Sequence, residues 1–142
     1  MPGIDKSRPF VPVHIAILTV SDTRTFDDDR SGKILVQCLT DAGHILADRK
    51  IVPDDISAIS HQLTSWIGDD GIDVVISTGG TGVTGRDVTP EAFRTVFEKE
   101  IEGFGELFRW LSFQKIGTST IQSRTVAGVA RGTYLFALPG ST

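Results

Sequence analysis

The sequence has one cysteine, Cys38, and only three histidines, His14, His44 and His61, in 142 residues. A lone cysteine excludes an internal disulfide framework and any multi-cysteine metal centre. The histidines are scattered and show no ligand spacing, so a metal held by imidazoles is not expected. Positive charge is also scarce: 14 Lys and Arg face 18 Asp and Glu, a net charge of −4. A general nucleic-acid surface needs a basic footprint, and this balance argues against one. An anionic small ligand is still allowed, because local donors and a metal can offset the overall field. No segment approaches the roughly 20 apolar residues that a membrane helix needs. The opening MPGIDKSRPFVPV has no long apolar stretch after its basic residues, so it does not read as a secretory signal. A cytoplasmic location is the expectation.

What is present suits one ordinary globular domain, with 39% hydrophobic and 23% charged residues. Residues 1–12, with Pro2, Pro9 and Pro12, read as an extended N-terminal arm, and 13–142 as the domain. His14–Val20 (HIAILTV) is mostly apolar, as a strand covered on both faces should be. A polar loop, Ser21–Arg30, precedes a helix over 32–42, with Gly43 as its C′ residue. Ile34, Leu35, Cys38, Leu39 and Ala42 share a face of that helix, which makes Cys38 a packing residue. Residues 45–52 read as a second strand. Asp54 and Asp55 then open a helix on which Ile56, Ile59, Leu63, Trp66 and Ile67 recur at helical spacing.

A third strand at 73–77 leads into a glycine-rich loop. Thr89 is placed to cap the next helix and Pro90 to open it, with Phe93, Val96, Phe97 and Ile101 on its inner face. Gly103 and Gly105 predict a break or bend before an apolar stripe of Phe104, Leu107, Phe108 and Leu111. The segment TVAGVARGTYLFALPG reads as two strands turning at Arg131-Gly132. The alternation implies an α/β fold: three layers, α/β/α, around a mainly parallel sheet, plus a C-terminal hairpin. Strand-to-helix loops of such sheets gather at one edge, where ligands bind. That edge collects Ser21–Arg30, Asp54, the glycine loop and Pro139-Gly140-Ser141.

The glycine loop, STGGTGVTGRDVTPEA (77–92), fits two nucleotide motifs in part. Gly80 and Gly85 have P-loop spacing, but Arg86-Asp87 follows where Lys and Ser or Thr are required. Gly80-x-Gly82-x-x-Gly85 matches the dinucleotide pattern, yet the helix starts five residues too late, and the acids about 20 residues on, Glu98, Glu100 and Glu102, are not at a strand end. A nicotinamide enzyme therefore rests on this pattern alone. What remains is a cradle in which Gly79, Gly80, Thr81 and Gly82 turn N–H groups and a hydroxyl toward a phosphate. Asp87 would repel a bare phosphate. It makes sense if a divalent cation lies between, with carboxylate and phosphate oxygens as hard ligands; the other reading is a turn in which Asp87 caps the following helix. Asp54 reads alone as a helix cap, but opposite Asp87 it completes a two-carboxylate metal site for phosphoryl or nucleotidyl transfer. Asp29-Arg30-Ser31-Gly32 is either an anion site or an N-cap, and Asp27–Asp29 reads as a solvated acidic loop. Ser123-Arg124 and Pro139–Thr142 read on their own as turn chemistry.

Taken together, VSDTR (20–24), DRSG (29–32), VPDD (52–55), TGGTGVTGRDVTPEA (78–92), EGFGE (102–106), QSR (122–124) and LPGS (138–141) resemble the MoaB/MogA proteins of molybdenum cofactor biosynthesis. The likeness runs from about His14 onward and is closest to the MoaB branch. It implies a molybdopterin-binding domain and, in active members, a molybdopterin adenylyltransferase. Such an enzyme uses ATP and Mg2+ to transfer AMP to the pterin phosphate with release of pyrophosphate. A partner enzyme then inserts molybdate. Carried over, the catalytic and metal-holding acids fall on Asp54 and Asp87. The molybdopterin and ATP contacts fall on Ser21, Asp22, Gly79, Gly80, Thr81, Gly82, Glu91, Ser123, Pro139, Gly140 and Ser141. The resemblance also implies a homo-oligomer, a trimer or a dimer of trimers, for which the apolar Phe93–Leu111 region offers surface. Family members continue beyond PGS into a helix, so that helix is expected to be missing or truncated here. The alternative within the same family is a non-catalytic pterin-binding or scaffold protein.

Overall fold

Ile15 through Val20 are buried without interruption in the first strand, β1 (His14–Val20), as a strand with layers on both faces requires. The computed structural model describes residues 3–140. In it β1 lies inside a six-stranded sheet with β2 (Ile45–Val52), β3 (Val74–Thr78), β4 (Lys99–Glu100), β5 (Val126–Ala130) and β6 (Thr133–Leu138). The order is β2-β1-β3-β6-β5-β4. β2, β1, β3 and β6 are mutually parallel, whereas β6–β5 and β5–β4 pair antiparallel. The expected hairpin is therefore part of the main sheet. Its turn has Arg131 at φ 49° and Gly132 at φ 83°, the two positive values of the tight turn that suits twisted strands.

Alternation along the strands sorts the helices into layers. Ala16, Leu18 and Val20 face Ile59, Leu63 and Trp66 of α2 (Ile56–Ile67) and Ala92 and Phe93 of α3 (Thr89–Val96). Ile15 and Ile17 face the opposite side, against Leu35, Val36 and Leu39 of α1 (Arg30–Asp41). On β6, Leu135 and Ala137 join the first cluster. Phe136 meets Phe104 of α4 (Glu102–Ile116) with ring centroids 5.1 Å apart. Helices α2 and α3 thus form one layer, α1 and α4 the other, as the three-layer expectation requires. Among the described residues no helix is long and apolar enough to cross a membrane.

Four local expectations are corrected. Cys38 is exposed rather than packed, and Ile34 is also on the open side. The rotation of α1 is set at its start, where Gly32 presses on β1 so closely that a Cβ would lie 2.8 Å from the Thr19 hydroxyl. That turns Leu35 and Leu39 inward and the 34/38 row outward. Helix α3 ends at Val96 instead of running to Ile101, because Glu98 N–H bonds Val129 O (2.9 Å) and Ile101 N–H bonds Ala127 O (2.7 Å). This edge pairing, which makes β4, overrides the helical periodicity. Gly103 and Gly105 lie inside α4 and do not break it. Gly105 is buried, and its missing side chain lets the helix approach the Thr125 carbonyl, 3.1 Å from where a Cβ would sit. Finally, Thr89 makes no side-chain cap; its hydroxyl donates to Gly79 O at 2.9 Å and ties α3 to the glycine loop.

Candidate phosphate-binding active site

Because β1, β2, β3 and β6 are parallel, their C-terminal ends meet at one edge, and the chain reverses direction of winding between β1 and β3. Gly79 and Gly80 leave β3 with φ of 101° and 74°, conformations that glycine alone adopts freely. The loop is then pinned from three sides. Gly79 N–H bonds Leu138 O (3.0 Å), Thr89 N–H bonds Gly80 O (3.1 Å), and Arg124 N–H bonds Thr81 O (3.0 Å).

One wall of a cleft of about 650 Å3 is formed by Gly79–Gly82 and Asp87. Phe108, Leu111 and Lys115 of α4 form the opposite wall, and Ser123, Pro139 and Gly140 close it. A second hollow of about 320 Å3, between the loop after β1 and the start of α1, shares Gly79 and Gly140 with the first and contains Ser21, Arg24 and Arg30. Ser123 lines the cleft with a buried hydroxyl that has no hydrogen-bond partner. The expected contact Ser141 lies outside the described residues.

The two acids stand beside two glycines. A Cβ on Gly80 would lie 3.3 Å from Asp54 Oδ1, and one on Gly82 would lie 2.7 Å from Asp87 Oδ2. The capping roles fall to neither acid. Asp55 caps α2, accepting Ala58 N–H at 2.8 Å, and leaves the Asp54 carboxylate free. Asp87 turns back to its own loop, accepting from Thr84 N–H (2.9 Å) and the Thr84 hydroxyl (2.7 Å). Asp22 holds the Asp54 loop in place: it accepts Asp54 N–H at 3.0 Å and pairs with Arg86. Ser21 accepts Thr23 and Arg24 N–H groups and shapes the loop after β1.

The sequence model of the family described as "Probable molybdopterin binding domain" matches residues 16–142. The chain belongs to this family. It is 53% identical over 136 residues to molybdenum cofactor biosynthesis protein B of Escherichia coli K12, covering 96% of this chain and 80% of that protein. The crystal structure of a molybdenum cofactor biosynthesis protein B superposes with a TM-score of 0.91 at 41% identity, covering 94% and 84% of the two chains. The tungsten cofactor synthesizing protein MoaB of Pyrococcus furiosus superposes with a TM-score of 0.81 at 37% identity, covering 92% and 83%.

In this molybdopterin-binding-family domain the two acids differ electrostatically. Burial and the nearby Asp87 charge raise the Asp54 carboxyl above its ordinary value of 3.8. The Thr84 hydroxyl bond, outweighing partial burial with help from Thr84 and Gly82 N–H groups and Arg124, lowers that of Asp87. Among the described residues no three His, Cys, Asp or Glu side chains converge on one point, so a cation held wholly by protein is not built. Two hard carboxylates beside a phosphate cradle fit Mg2+, which binds through one or two carboxylates plus substrate phosphates. The raised Asp54 pKa also has a stability consequence. The folded state keeps that proton to higher pH than the unfolded chain, so stability falls as pH rises from 3.8 through the raised value. Asp54→Asn should therefore raise the melting temperature of the metal-free protein at pH 7 but not at pH 3, in a pair of thermal scans.

Sequence reasoning read Asp29 only in part, as the N-cap it proves to be but also as a solvated acid, and missed Lys115 and the grip of Arg124. Asp29 is 1% exposed, not solvated, and caps α1 through Gly32 N–H (3.0 Å) while pairing with Arg49 (2.9 Å). Burial raises its carboxyl, but Thr19, Gly32 and Arg49 together hold it below the ordinary value. Lys115 reaches the cleft from α4, a helix legible only as an apolar stripe. Arg124, read as turn chemistry, grips the glycine loop, and Glu91 is its bidentate partner rather than part of the cleft wall.

Proposed function

We propose that this domain acts in molybdenum cofactor biosynthesis by transferring AMP from ATP to the terminal phosphate of molybdopterin. A pterin phosphate oxygen forms the new bond to the α-phosphorus, the bond from that phosphorus to the bridging oxygen breaks, and pyrophosphate leaves. The observation carrying this reading is the Asp54–Asp87 pair, two acids with no capping duty set against the cradle glycines. Anion binding alone would exclude such acids; nucleotidyl transfer between two anions uses them.

The cleft's volume of about 650 Å3 suits a pterin-sized ligand, with Phe108 and Leu111 for its apolar face. Lys115, the free Ser123 hydroxyl and the loop N–H groups supply positive ends for phosphate. The loop backbone is pinned before ligand arrives, so its N–H groups stabilise developing charge without reorganising. Mg2+ bound by Asp54 and Asp87 would supply charge neutralisation at the phosphates. Asp22 keeps the Asp54 segment beside the glycine loop, accepting its N–H and pairing with Arg86.

Purified protein given ATP, Mg2+ and molybdopterin should form adenylylated pterin and pyrophosphate in equal amounts. Tight pterin binding without ATP-dependent product would select the non-catalytic alternative. Because both carboxylates must be ionised, the acid limb of the kcat/KM profile, which reports the free enzyme, should follow Asp54 and lie above 3.8.

A further inference from the structure

Arg124 lies between α4 and β5, yet its side chain serves a distant segment. Its Nε donates to Gly82 O (2.6 Å) and its Nη2 to Asp87 O (2.6 Å). Nη1 and Nη2 meet the Glu91 carboxylate at 2.5 and 3.2 Å, and the backbone N–H holds Thr81 O at 3.0 Å. Every one of these partners lies within residues 81–91, the stretch carrying the cradle and Asp87.

A trans peptide is planar, so a carbonyl and the following N–H point in opposite directions. Fixing the carbonyls of Thr81, Gly82 and Asp87 therefore fixes the N–H directions of Gly82, Val83 and Val88. Gly82 N–H is indeed among the donors to the Asp87 carboxylate. Were the Gly82 and Asp87 peptides free to turn, the loop would lose the fold-back that sets the Asp87 carboxylate beside Gly82. Glu91 neutralises the guanidinium and anchors it to the first turn of α3.

We propose that Arg124, braced by Glu91, is the positioning residue that sets the peptide orientations of the glycine loop and so holds the cradle and Asp87 in their places. The guanidinium is a planar fork with five N–H donors; an ammonium is a point charge with three. Shape, not charge, does this work, which separates the proposal from simple electrostatics. Its kinetic consequence rests on the adenylyl-transfer reading; its structural consequence does not.

The decisive variant is Arg124→Lys, which keeps the charge and removes the fork, tested with Glu91→Gln and the double variant in the full chain. Amide hydrogen exchange is read without ligand at Thr84, Asp87 and Thr89, whose N–H groups bond within the loop at 2.9, 3.0 and 3.1 Å, and kcat and KM for ATP are read in the transfer assay. Arg124→Lys should speed exchange at these amides at least tenfold relative to those of β1, and lower kcat about 10²-fold, the usual cost of misplacing reacting groups by about 1 Å, with a smaller change in KM. Glu91→Gln should act in the same direction more weakly, and the double variant should be no worse than Arg124→Lys alone. Wild-type exchange and kcat in Arg124→Lys would overturn the proposal, as would additive effects in the double variant. If Arg124→Lys does not fold, Glu91→Gln decides by the same exchange readout. Faster loop exchange in a protein whose wild type transfers no AMP would uphold the brace and reject the transferase reading instead.

Discussion

Asp87→Asn should leave the protein folded and lower AMP transfer by about 10³-fold or more, measured as pyrophosphate release at saturating ATP. The asparagine oxygen can still accept from Thr84, whose N–H and hydroxyl now hold the carboxylate at 2.9 and 2.7 Å, so the loop keeps its shape. What disappears is one negative charge beside the cradle, 2.7 Å from where a Gly82 Cβ would sit. With it goes one of two hard ligands for a cation between anionic substrates. Because the cradle donors survive, pterin binding should change little, and the loss should fall on kcat. Wild-type turnover in this variant would remove the acids from the mechanism.

Gly79→Ala should cost at least about 2 kcal/mol, as expected of a residue forced into a sparsely populated conformation, and lower the melting temperature by several degrees. The position combines φ 101° with a Cβ site 2.5 Å from the Val20 carbonyl oxygen. That oxygen belongs to the backbone of buried β1, which has no room to retreat. The loop would have to move, breaking the Gly79–Leu138 bond (3.0 Å) and spoiling the cradle. Gly85→Ala is the control, since a Cβ there meets nothing within 4 Å and the backbone is not left-handed. It should be neutral or stabilising by about 0.4–1 kcal/mol through the unfolded chain. Equal melting temperatures for the two variants would show that the loop is softer than its geometry implies.

Features encoded by neighbouring residues were legible in the sequence. The unbroken burial of β1, the hairpin at Arg131-Gly132 and the strand–glycine–acid order of the site all follow from short-range pattern. Features that depend on contacts across the sheet were not. Arg124 reaches Gly82 over 42 residues, and no local signal marks an arginine in a turn as the anchor of another loop. The N-cap role of Asp29 is local and was among its readings, but its burial against Arg49, 20 residues on, was not legible. Cys38 follows an apolar face that the tight seat of Gly32 rotates outward. The helical pattern through Ile101 lost to strand pairing with β5, which becomes visible only once the hairpin is docked.

The position of β6 also constrains how the protein is made. It lies between β3 and β5, so a central strand is supplied by residues 133–138. On a ribosome, β2, β1 and β3 can assemble early, but β3 then presents an unpaired edge until more than fifty further residues emerge. Val74 to Thr78, apolar and ready to pair, spend that interval unguarded. Expression yield should therefore depend on translation speed and chaperone supply more than the finished domain's stability suggests.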